Sequence, residues 1–317
     1  MKRLTSLTVL LLLAAAAGSA RQETQQKLPA YTEHAGSEYV LMPVVVLDKK
    51  GRFVEGLEKK SFQLRVQGVR VDLDTFEKDD NAPASFAFLI DTSGSMKLAR
   101  KLEYAKAAVR HIVSQRKPGD DFALFAFAEE EVRLVSDFSH EPARLLAALD
   151  KLEASGQTAL FDAVAATPSR MLAGKNGKRA IVLFSDGVDN ASRLSPAEMA
   201  EILQQVSVPV NAVGMKNASF DRLTDEERSQ LSVENLRMLA ASSGGKLYLP
   251  GGEEDLGPVA EKIGAEVRKQ YLLGFTASGQ GEVKYRILVV TVVKPGTWDV
   301  RARRGYRGTA PAAATEH

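Results

Sequence analysis

The sequence predicts an α/β protein whose central unit is a doubly wound, mainly parallel sheet, flanked at both ends of the chain by antiparallel strands. Three observations predict this fold class. Apolar runs such as 86–90 and 180–184 contain no polar residue, which is typical of strands buried on both faces. Amphipathic helical patterns separate these runs. Short strands that alternate apolar and polar residues lie outside this central region.

The amino terminus has the three-part layout of a secretory signal peptide. Lys2 and Arg3 are positively charged, residues 4–17 are apolar, and Gly18-Ser19-Ala20 offers small residues for cleavage. The apolar run is shorter than the roughly 20 residues that a membrane-spanning helix needs. We therefore predict that residues 1–20 are removed on export to the periplasm or the extracellular space. No membrane span is expected after cleavage, and a retained membrane anchor is the alternative.

The composition is that of a folded globular protein. The 317 residues are 44% hydrophobic and 26% charged, fractions that argue against disorder and against a multispanning membrane protein. The formal net charge of +2 includes two residues of the predicted signal peptide, so the mature chain is close to neutral. It therefore lacks the basic excess of proteins that bind nucleic acid, and no nucleic-acid partner is expected. The chain has no cysteine, so it has no disulfide.

Residues 37–80 are predicted to form the N-terminal β strands. Residues 39–48 have the apolar composition of one strand. The segments 62–66 and 69–73 alternate apolar and polar residues on either side of the turn Gln67-Gly68, which is the pattern of a hairpin.

Residues 84–270 are predicted to hold the α/β domain. Its strands are expected at 86–90, 122–128, 180–184, 208–213 and 246–249, with an edge strand at 132–136. Its helices are expected at 98–112, 141–152, 160–172, 196–206, 233–242 and 255–270. In the first helix Leu98, Leu102, Ala105 and Val109 recur at helical spacing and mark a buried face. Strands that alternate with helices indicate a mainly parallel sheet covered on both faces.

Residues 271–306 return to strand patterns, expected at 271–276, 285–293 and 298–303. Because an isolated hairpin is marginally stable, we expect these strands to pair with the N-terminal ones in a small β-sandwich. Trp298 is expected in the core of that sandwich, and the arginines of 301–304 on its solvated strand edges. Residues 307–317 are predicted to be a disordered tail.

Five side chains form the most informative pattern of the sequence. Asp91, Ser93 and Ser95 follow the first buried strand, Thr158 lies in a loop that opens onto a helix, and Asp186 ends a later buried strand. All lie at or beside the carboxyl ends of predicted parallel strands, where ligands bind in open α/β sheets. The first three residues alone are as well explained by a turn and a helix cap, because Asp, Ser and Gly are usual in both.

The whole pattern, Asp91-x-Ser93-x-Ser95 followed by Thr158 and Asp186-Gly187, resembles the metal-ion-dependent adhesion site of von Willebrand factor A domains. The residues occur in the family's order, and the resemblance covers about residues 84–270. It implies a Rossmann-like fold and a role in binding another protein. Gln157 stands where many relatives have glycine, and we do not expect this difference to block metal binding.

A second, less specific resemblance comes from the C-terminal segments Tyr271-Leu272-Leu273-Gly274-Phe275 and 301–306. These segments resemble an exported bacterial subgroup of von Willebrand factor A proteins, of the acidobacterial type, in which strands frame the A domain. The function of that subgroup is poorly defined, so this resemblance adds an expectation about architecture and export only.

The donor set indicates a hard divalent cation, Mg²⁺ first, with Mn²⁺ or Ca²⁺ as alternatives. Two carboxylates and three hydroxyls offer only oxygen ligands, which these cations prefer. The family resemblance implies that the two serines ligate directly and that Thr158 ligates directly or through water. Asp91 and Asp186 are then expected to bind chiefly through water, and an acidic side chain of an unidentified partner protein is expected to complete the coordination.

The sequence favours binding over catalysis, so we predict that the protein is not an enzyme. It has no G-x-S-x-G motif, and none of its four histidines shows the spacing of a catalytic base. A structural module with a vestigial metal site is the main alternative, and a hydrolase is a weaker one. Asp162 and Asp189 are further acidic residues near the expected rim, where we expect solvent exposure or capping.

Overall fold

The computed structural model describes residues 37–79, 81–129, 132–215, 226–278 and 285–308. The predicted signal peptide lies outside the described residues, as does nearly all of the predicted tail. Within the described part of the chain, no helix combines the length and apolarity that crossing a membrane requires.

The elements follow the predicted alternation closely. The strands are β1 (Ser37–Leu47), β2 (Phe62–Val66), β3 (Val69–Val71), β4 (Thr75–Glu77), β5 (Ala84–Asp91), β6 (Asp121–Phe127), β7 (Val132–Ser139), β8 (Lys178–Ser185), β9 (Val210–Gly214), β10 (Leu247–Tyr248), β11 (Tyr271–Ser278), β12 (Tyr285–Val292), β13 (Asp299–Arg301) and β14 (Gly305–Arg307). The helices are α1 (Lys101–Ser114), α2 (Pro142–Asp150), α3 (Leu160–Ala166), α4 (Pro196–Gln204), α5 (Glu226–Ser243) and α6 (Leu256–Lys269). Every predicted strand and helix has a counterpart here.

A six-stranded sheet, ordered β10-β9-β8-β5-β6-β7, forms the centre of the described α/β unit. Its neighbouring strands run parallel, except that β7 pairs antiparallel with β6 at one edge. The mixed, mainly parallel sheet and the edge position of β7 confirm the sequence prediction. The site described below lies at the carboxyl ends of β5 and β8, which are central neighbours.

Helices cover both faces of this sheet, as the continuous apolar strands require. Phe86, Phe88 and Ile90 of β5 pack on one face with residues of α1, α2 and α6. Ala87 and Leu89 pack on the other face with residues of α3, α4 and α5. Because both sets of β5 side chains are fully buried, the strand that carries Asp91 is held rigidly from both sides.

The first helix begins later than predicted. Residues 94–100 form a 3-10 segment with a kink, because Leu98 has extended backbone angles and Ala99 and Arg100 are left-handed (φ 52° and 59°). Leu98, predicted on the buried face, is instead 49% exposed. Helical spacing therefore identified the buried face of α1 correctly only from Leu102 onward. Leu98 has the sequence spacing of the buried face, but the kink separates it from α1 and leaves it outside that face.

Two four-stranded antiparallel sheets flank the α/β unit, ordered β13-β1-β11-β4 and β14-β12-β2-β3. Each sheet combines strands from both ends of the chain, which confirms that the two flanks pair. The sheets share one hydrophobic cluster, in which Tyr271 is fully buried and Trp298 packs at the edge. Two short strands escaped the sequence patterns, β4 in one sheet and β14 in the other.

Two C-terminal arginines connect the flanking strands to the α/β unit. The expectation that the arginines of 301–304 lie on solvated strand edges is therefore wrong for them. Arg303 was expected on a solvated edge, but it is 6% exposed and its Nη1 donates to the backbone oxygen of Gln205 at 3.0 Å. Arg301 pairs with Glu266 of α6 at 2.7 Å. The sequence alone suggested that these arginines face solvent. Their hydrogen-bond acceptors lie in segments distant in sequence, so the local pattern could not reveal their burial.

Candidate metal centre

Asp91 lies at the base of the candidate centre and is completely buried at the end of β5. Its Oδ1 accepts the backbone N–H of Ser93 at 2.9 Å, and its Oδ2 accepts the hydroxyl of Ser185 at 2.7 Å. Burial raises the pKa of Asp91 from 3.8 to about 6, and the charge of Asp186 adds to the rise, whereas the hydrogen bonds from Ser185 and Ser93 oppose it. The carboxylate is therefore oriented firmly, but no positively charged side chain of the described residues contacts it directly.

The two serines present their hydroxyls to one another immediately after Asp91. The Oγ atoms of Ser93 and Ser95 are 3.1 Å apart. Ser93 is almost fully buried and Ser95 is half-buried, so the pair extends from the buried interior of the site to its solvent-exposed side. Hydroxyls at this separation can both act as oxygen ligands to one cation.

Asp186 follows β8 and is 6% exposed. Its Oδ1 accepts the backbone N–H of Val188 at 3.2 Å, and its Oδ2 accepts from the ammonium of Lys101 at 2.7 Å. The next residue, Gly187, has φ +82°, and a Cβ there would lie 2.2 Å from the backbone oxygen of Ser232 in α5. A glycine is required because the loop turns and α5 packs directly on its backbone.

Thr158 belongs to the third loop, which is joined to the other two by backbone hydrogen bonds. Gly94 N–H donates to the oxygen of Gly156 at 2.9 Å, which links this loop to the serines. The Thr158 N–H donates to Oδ1 of Asn190 at 2.8 Å, which links it to the Asp186 loop. Thr158 itself is 2% exposed. The three predicted segments therefore converge at one end of the sheet.

The extra acidic residues of the rim hold loops together. Asp189 Oδ1 accepts the backbone N–H of Leu160 at 2.8 Å, at the start of α3. Asp162 accepts the backbone N–H groups of Arg193 and Leu194, each at 3.0 Å. Of the expected solvent exposure or capping, Asp189 shows capping at the start of α3, whereas Asp162 joins α3 to the loop before α4.

Two residues of the centre were not recognised in the sequence. Ser185 precedes Asp186 and orients both Asp91 and the N–H of Gly187, which donates to the Ser185 hydroxyl at 3.0 Å. Lys101 pairs with Asp186 across 85 residues of sequence. The only signal for Ser185 was its position at the strand end. Nothing in a helical pattern marks Lys101, because its role depends on the kink that precedes it.

The chemistry of the donors decides what the centre can hold. Among the described residues, no group of three or more His, Cys, Asp or Glu side chains is arranged to hold a metal ion. A metal here would depend on the serine and threonine hydroxyls together with Asp91 and Asp186. Such an all-oxygen set fits Mg²⁺, Mn²⁺ or Ca²⁺, and two buried carboxylates favour a cation over an anion.

The histidines within the described residues offer no general base at this centre. His111 and His140 are both exposed, and His140 hydrogen-bonds through Nδ1 to the backbone oxygen of Asp120. Asp120 precedes β6 and so lies at the opposite end of the sheet from Asp91. A serine nucleophile at the centre therefore has no histidine partner among these residues.

Comparison with known proteins bears on the central unit. Residues 86–188 match the family model of the von Willebrand factor type A domain. The uncharacterized protein YfbK of Escherichia coli (strain K12) is 26% identical over 151 residues, which cover 45% of this chain. The match spans only 26% of the length of that relative.

Two solved structures also resemble parts of this chain. A von Willebrand factor type A protein from Catenulispora acidiphila is 14% identical, with 88% of this chain and 75% of that chain covered and a TM-score of 0.47. Proximal thread matrix protein 1 from the mussel byssus, with a zinc occupied MIDAS motif, is 18% identical, with 65% and 50% covered and a TM-score of 0.48. The residues that match the family model lie within the central α/β unit, where the five-residue pattern predicted a von Willebrand factor A domain.

Proposed function

We propose that this chain, built around a von Willebrand factor A domain, is an exported protein-binding module that works through one bound divalent cation. The observation that carries the proposal is the convergence of three loops on one end of the sheet, with Asp91 and Asp186 buried beside paired serine hydroxyls. Domains of this type are commonly metal-dependent interaction modules.

The residues present fit a cation of the Mg²⁺ type. Ser93, Ser95 and Thr158 would supply neutral hydroxyl oxygens, and Asp91 and Asp186 would supply the negative charge that balances the ion. Neutral ligands leave such an ion electrophilic, so when bound it would attract a carboxylate from outside. The chain's own residues orient the donors, since Ser185 and backbone N–H groups fix both carboxylates.

A partner that presents an aspartate or glutamate is the occupant that this chemistry favours. Leu98 lies at the kink three residues after Ser95 and is 49% exposed, so the surface beside the centre offers an apolar contact for a protein partner. Export through the predicted signal peptide would bring the module to partners in the periplasm or outside the cell.

Calorimetric titration tests the metal centre directly. We expect the full chain to bind Mg²⁺ or Mn²⁺, and we expect the Asp186→Ala variant to lose this binding. Ca²⁺ and Zn²⁺ titrations rank the cations. Asp72→Ala is the matched control, because Asp72 is an exposed carboxylate in the flanking strands. Absence of any binding by the unmutated chain would favour a structural module.

Capture of partners from the exported proteome tests the function. We expect proteins that are retained in Mg²⁺, released by EDTA and lost with the Asp91→Ala variant. Recovery of identical partners under all three conditions would show that binding does not depend on the cation. Metal-dependent turnover of an ester, phosphoester or peptide that is abolished by Ser93→Ala would instead favour a hydrolase.

A further inference from the structure

Lys101 occupies the polar centre in a way that the metal proposal leaves unexplained. Its ammonium donates to Oδ2 of Asp186 at 2.7 Å, and the two side chains are 15% and 5% exposed. An ion pair with so little solvent access is screened weakly, so it competes effectively with other cations for the same carboxylate. Asp186 is one of the two residues expected to balance a bound metal ion.

The backbone holds Lys101 in this position from both sides. Ala99 and Arg100 are consecutive left-handed residues, and neither is glycine, although this region of φ and ψ disfavours residues with a side chain. Met96 before the kink and Leu102 after it are both buried in the core. Lys101 is the first residue of α1, so the kink fixes where its side chain begins. Strained backbone that persists near a site is often part of its mechanism.

We propose that Lys101 is a built-in competitor that sets the affinity of the centre for divalent cations, an inference that rests on the proposed function. A divalent ion and the Lys101 ammonium both need the Asp186 carboxylate, and two positive charges side by side repel one another. Whether the ion binds Asp186 directly or through water, its binding therefore weakens the Lys101–Asp186 pair. The pair stabilises the protein without metal and weakens its hold on the metal.

Titration of Mg²⁺ and Mn²⁺ into the full chain and its Lys101 variants tests this competition. We expect Lys101→Met to bind either ion about tenfold more tightly than the unmutated chain, because the competing charge is gone. Lys101→Arg keeps the charge and is expected to stay within about threefold of the unmutated chain. Lys97→Met is the matched control, since Lys97 is an exposed lysine of the same segment, and we expect it also to stay within that range.

Thermal unfolding gives a second measurement. It distinguishes the loss of the Lys101–Asp186 pair from a general loss of stability, because it compares the unfolding temperatures with and without Mg²⁺. In EDTA, Lys101→Met is expected to unfold at a lower temperature than the unmutated chain, because Asp186 is left buried without its partner. Saturating Mg²⁺ is expected to raise its unfolding temperature by more than it raises that of the unmutated chain. If Lys101→Met fails to fold in EDTA, Lys101→Gln, which retains a donor, is used for the same pair of measurements.

The outcomes separate this inference from the proposed function. Equal affinities of the unmutated chain and Lys101→Met would overturn the competition and leave the metal centre standing. An equal gain in affinity in Lys97→Met would also overturn it. The gain would then result from removing any positive charge near the centre, and not from the contact between Lys101 and Asp186. Binding by Lys101→Met alone would support both ideas. Absence of binding in both chains, with folding shown by circular dichroism, would overturn both.

Discussion

The buried carboxylate of Asp91 makes the main unfavourable electrostatic contribution to the stability of the centre. A fully buried carboxylate is destabilising unless its charge is balanced. Among the described residues, the one positive group in the centre's hydrogen bonds is Lys101, which contacts Asp186 instead. The rise of the Asp91 pKa to about 6 expresses this cost in the metal-free protein. The same imbalance favours uptake of a cation, so stability without metal and affinity for metal oppose each other at this residue.

The Asp91→Asn variant should show this opposition. A pKa raised from 3.8 to about 6 means that Asp91 favours folding fully below pH 3.8 and loses that contribution as the pH rises through about 6. In EDTA at pH 7.5, we expect Asp91→Asn to increase the free energy of unfolding by up to about 3 kcal/mol. The gain should shrink at pH 5, and Mg²⁺ binding should be lost. Urea unfolding at both pH values checks this, with Asp72→Asn as the control; a gain that does not change with pH would contradict it.

Ala99 carries backbone strain that glycine would relieve. A left-handed residue with a Cβ costs about 1 to 2 kcal/mol, while glycine gains freedom in the unfolded chain. We expect Ala99→Gly to change the free energy of unfolding by between zero and about 1 kcal/mol in the stabilising direction. Ala107→Gly, inside α1, should instead lose about 1 kcal/mol. Equal losses in the two variants, measured by urea unfolding, would show that Ala99 is not strained.

At this scale the sequence predicted the donors but not their partners. Asp91, Ser93, Ser95, Thr158 and Asp186 stand in a pattern that local residue order reveals. Lys101 does not, because its contact with Asp186 depends on a left-handed pair that no propensity of Ala or Arg indicates. The arginine at 303 is a similar case, since its burial is decided by the backbone of Gln205.

The elements that shape the centre are loops held by close backbone packing. The Asp186 loop turns at Gly187 and lies against α5, while the Thr158 loop is joined to the serine segment through Gly156 and Gly94. At Gly187 the backbone of α5 leaves no space for a Cβ, and a Cβ at Gly94 would lie 3.2 Å from the backbone oxygen of Gly156, so these glycines position the donors indirectly. We therefore expect a centre assembled from these three loops to behave as a rigid unit.

Gly187→Ala tests this rigidity. Its Cβ would lie 2.2 Å from a backbone oxygen of α5 and would occupy a left-handed conformation, so α5 or the loop must shift. We expect a loss of at least about 2 kcal/mol in the free energy of unfolding and a weaker affinity for Mg²⁺. Gly177→Ala is the control, because a Cβ there meets nothing within 4 Å. Unchanged stability and affinity in Gly187→Ala would refute the packing argument.

Elements with a strong periodic pattern were predictable, whereas short or interrupted ones were not. Fully apolar runs identified β5, β6 and β8, and helical spacing identified α4 and α6. Helix α3 ends at Ala166 and a 3-10 segment follows from Pro168, although the pattern ran on to 172. Strands β4 and β14 have three residues each, too few for a pattern to show, and exist because neighbouring strands offer them hydrogen bonds.

At the scale of the molecule, the α/β unit and the flanking sheets have separate hydrophobic clusters. The flanking cluster gathers around Tyr271, which stacks on Phe53 and Phe76 and donates its hydroxyl to the backbone oxygen of Val54 at 2.8 Å. Both ends of the chain contribute, so pairing of the flanks was predictable from the marginal stability of either alone. Their attachment to the α/β unit through Arg301 and Arg303 was not, because it depends on single contacts.

Because the clusters are separate, we expect that the flanking sheets can be weakened without altering the candidate metal centre. Tyr271→Ala removes a fully buried ring and should lower the free energy of unfolding by about 3 to 5 kcal/mol. Tyr271→Phe removes only the hydroxyl and should lose about 1 kcal/mol. Where the variants are folded, we expect their Mg²⁺ affinities to remain within about twofold of the unmutated chain, since their donors lie in the other unit. Unfolding and calorimetric titration on the same samples check this. An affinity that falls in step with stability would show that the flanking sheets support the centre directly, with Arg301 and its partner Glu266 in α6 as the connection to examine next.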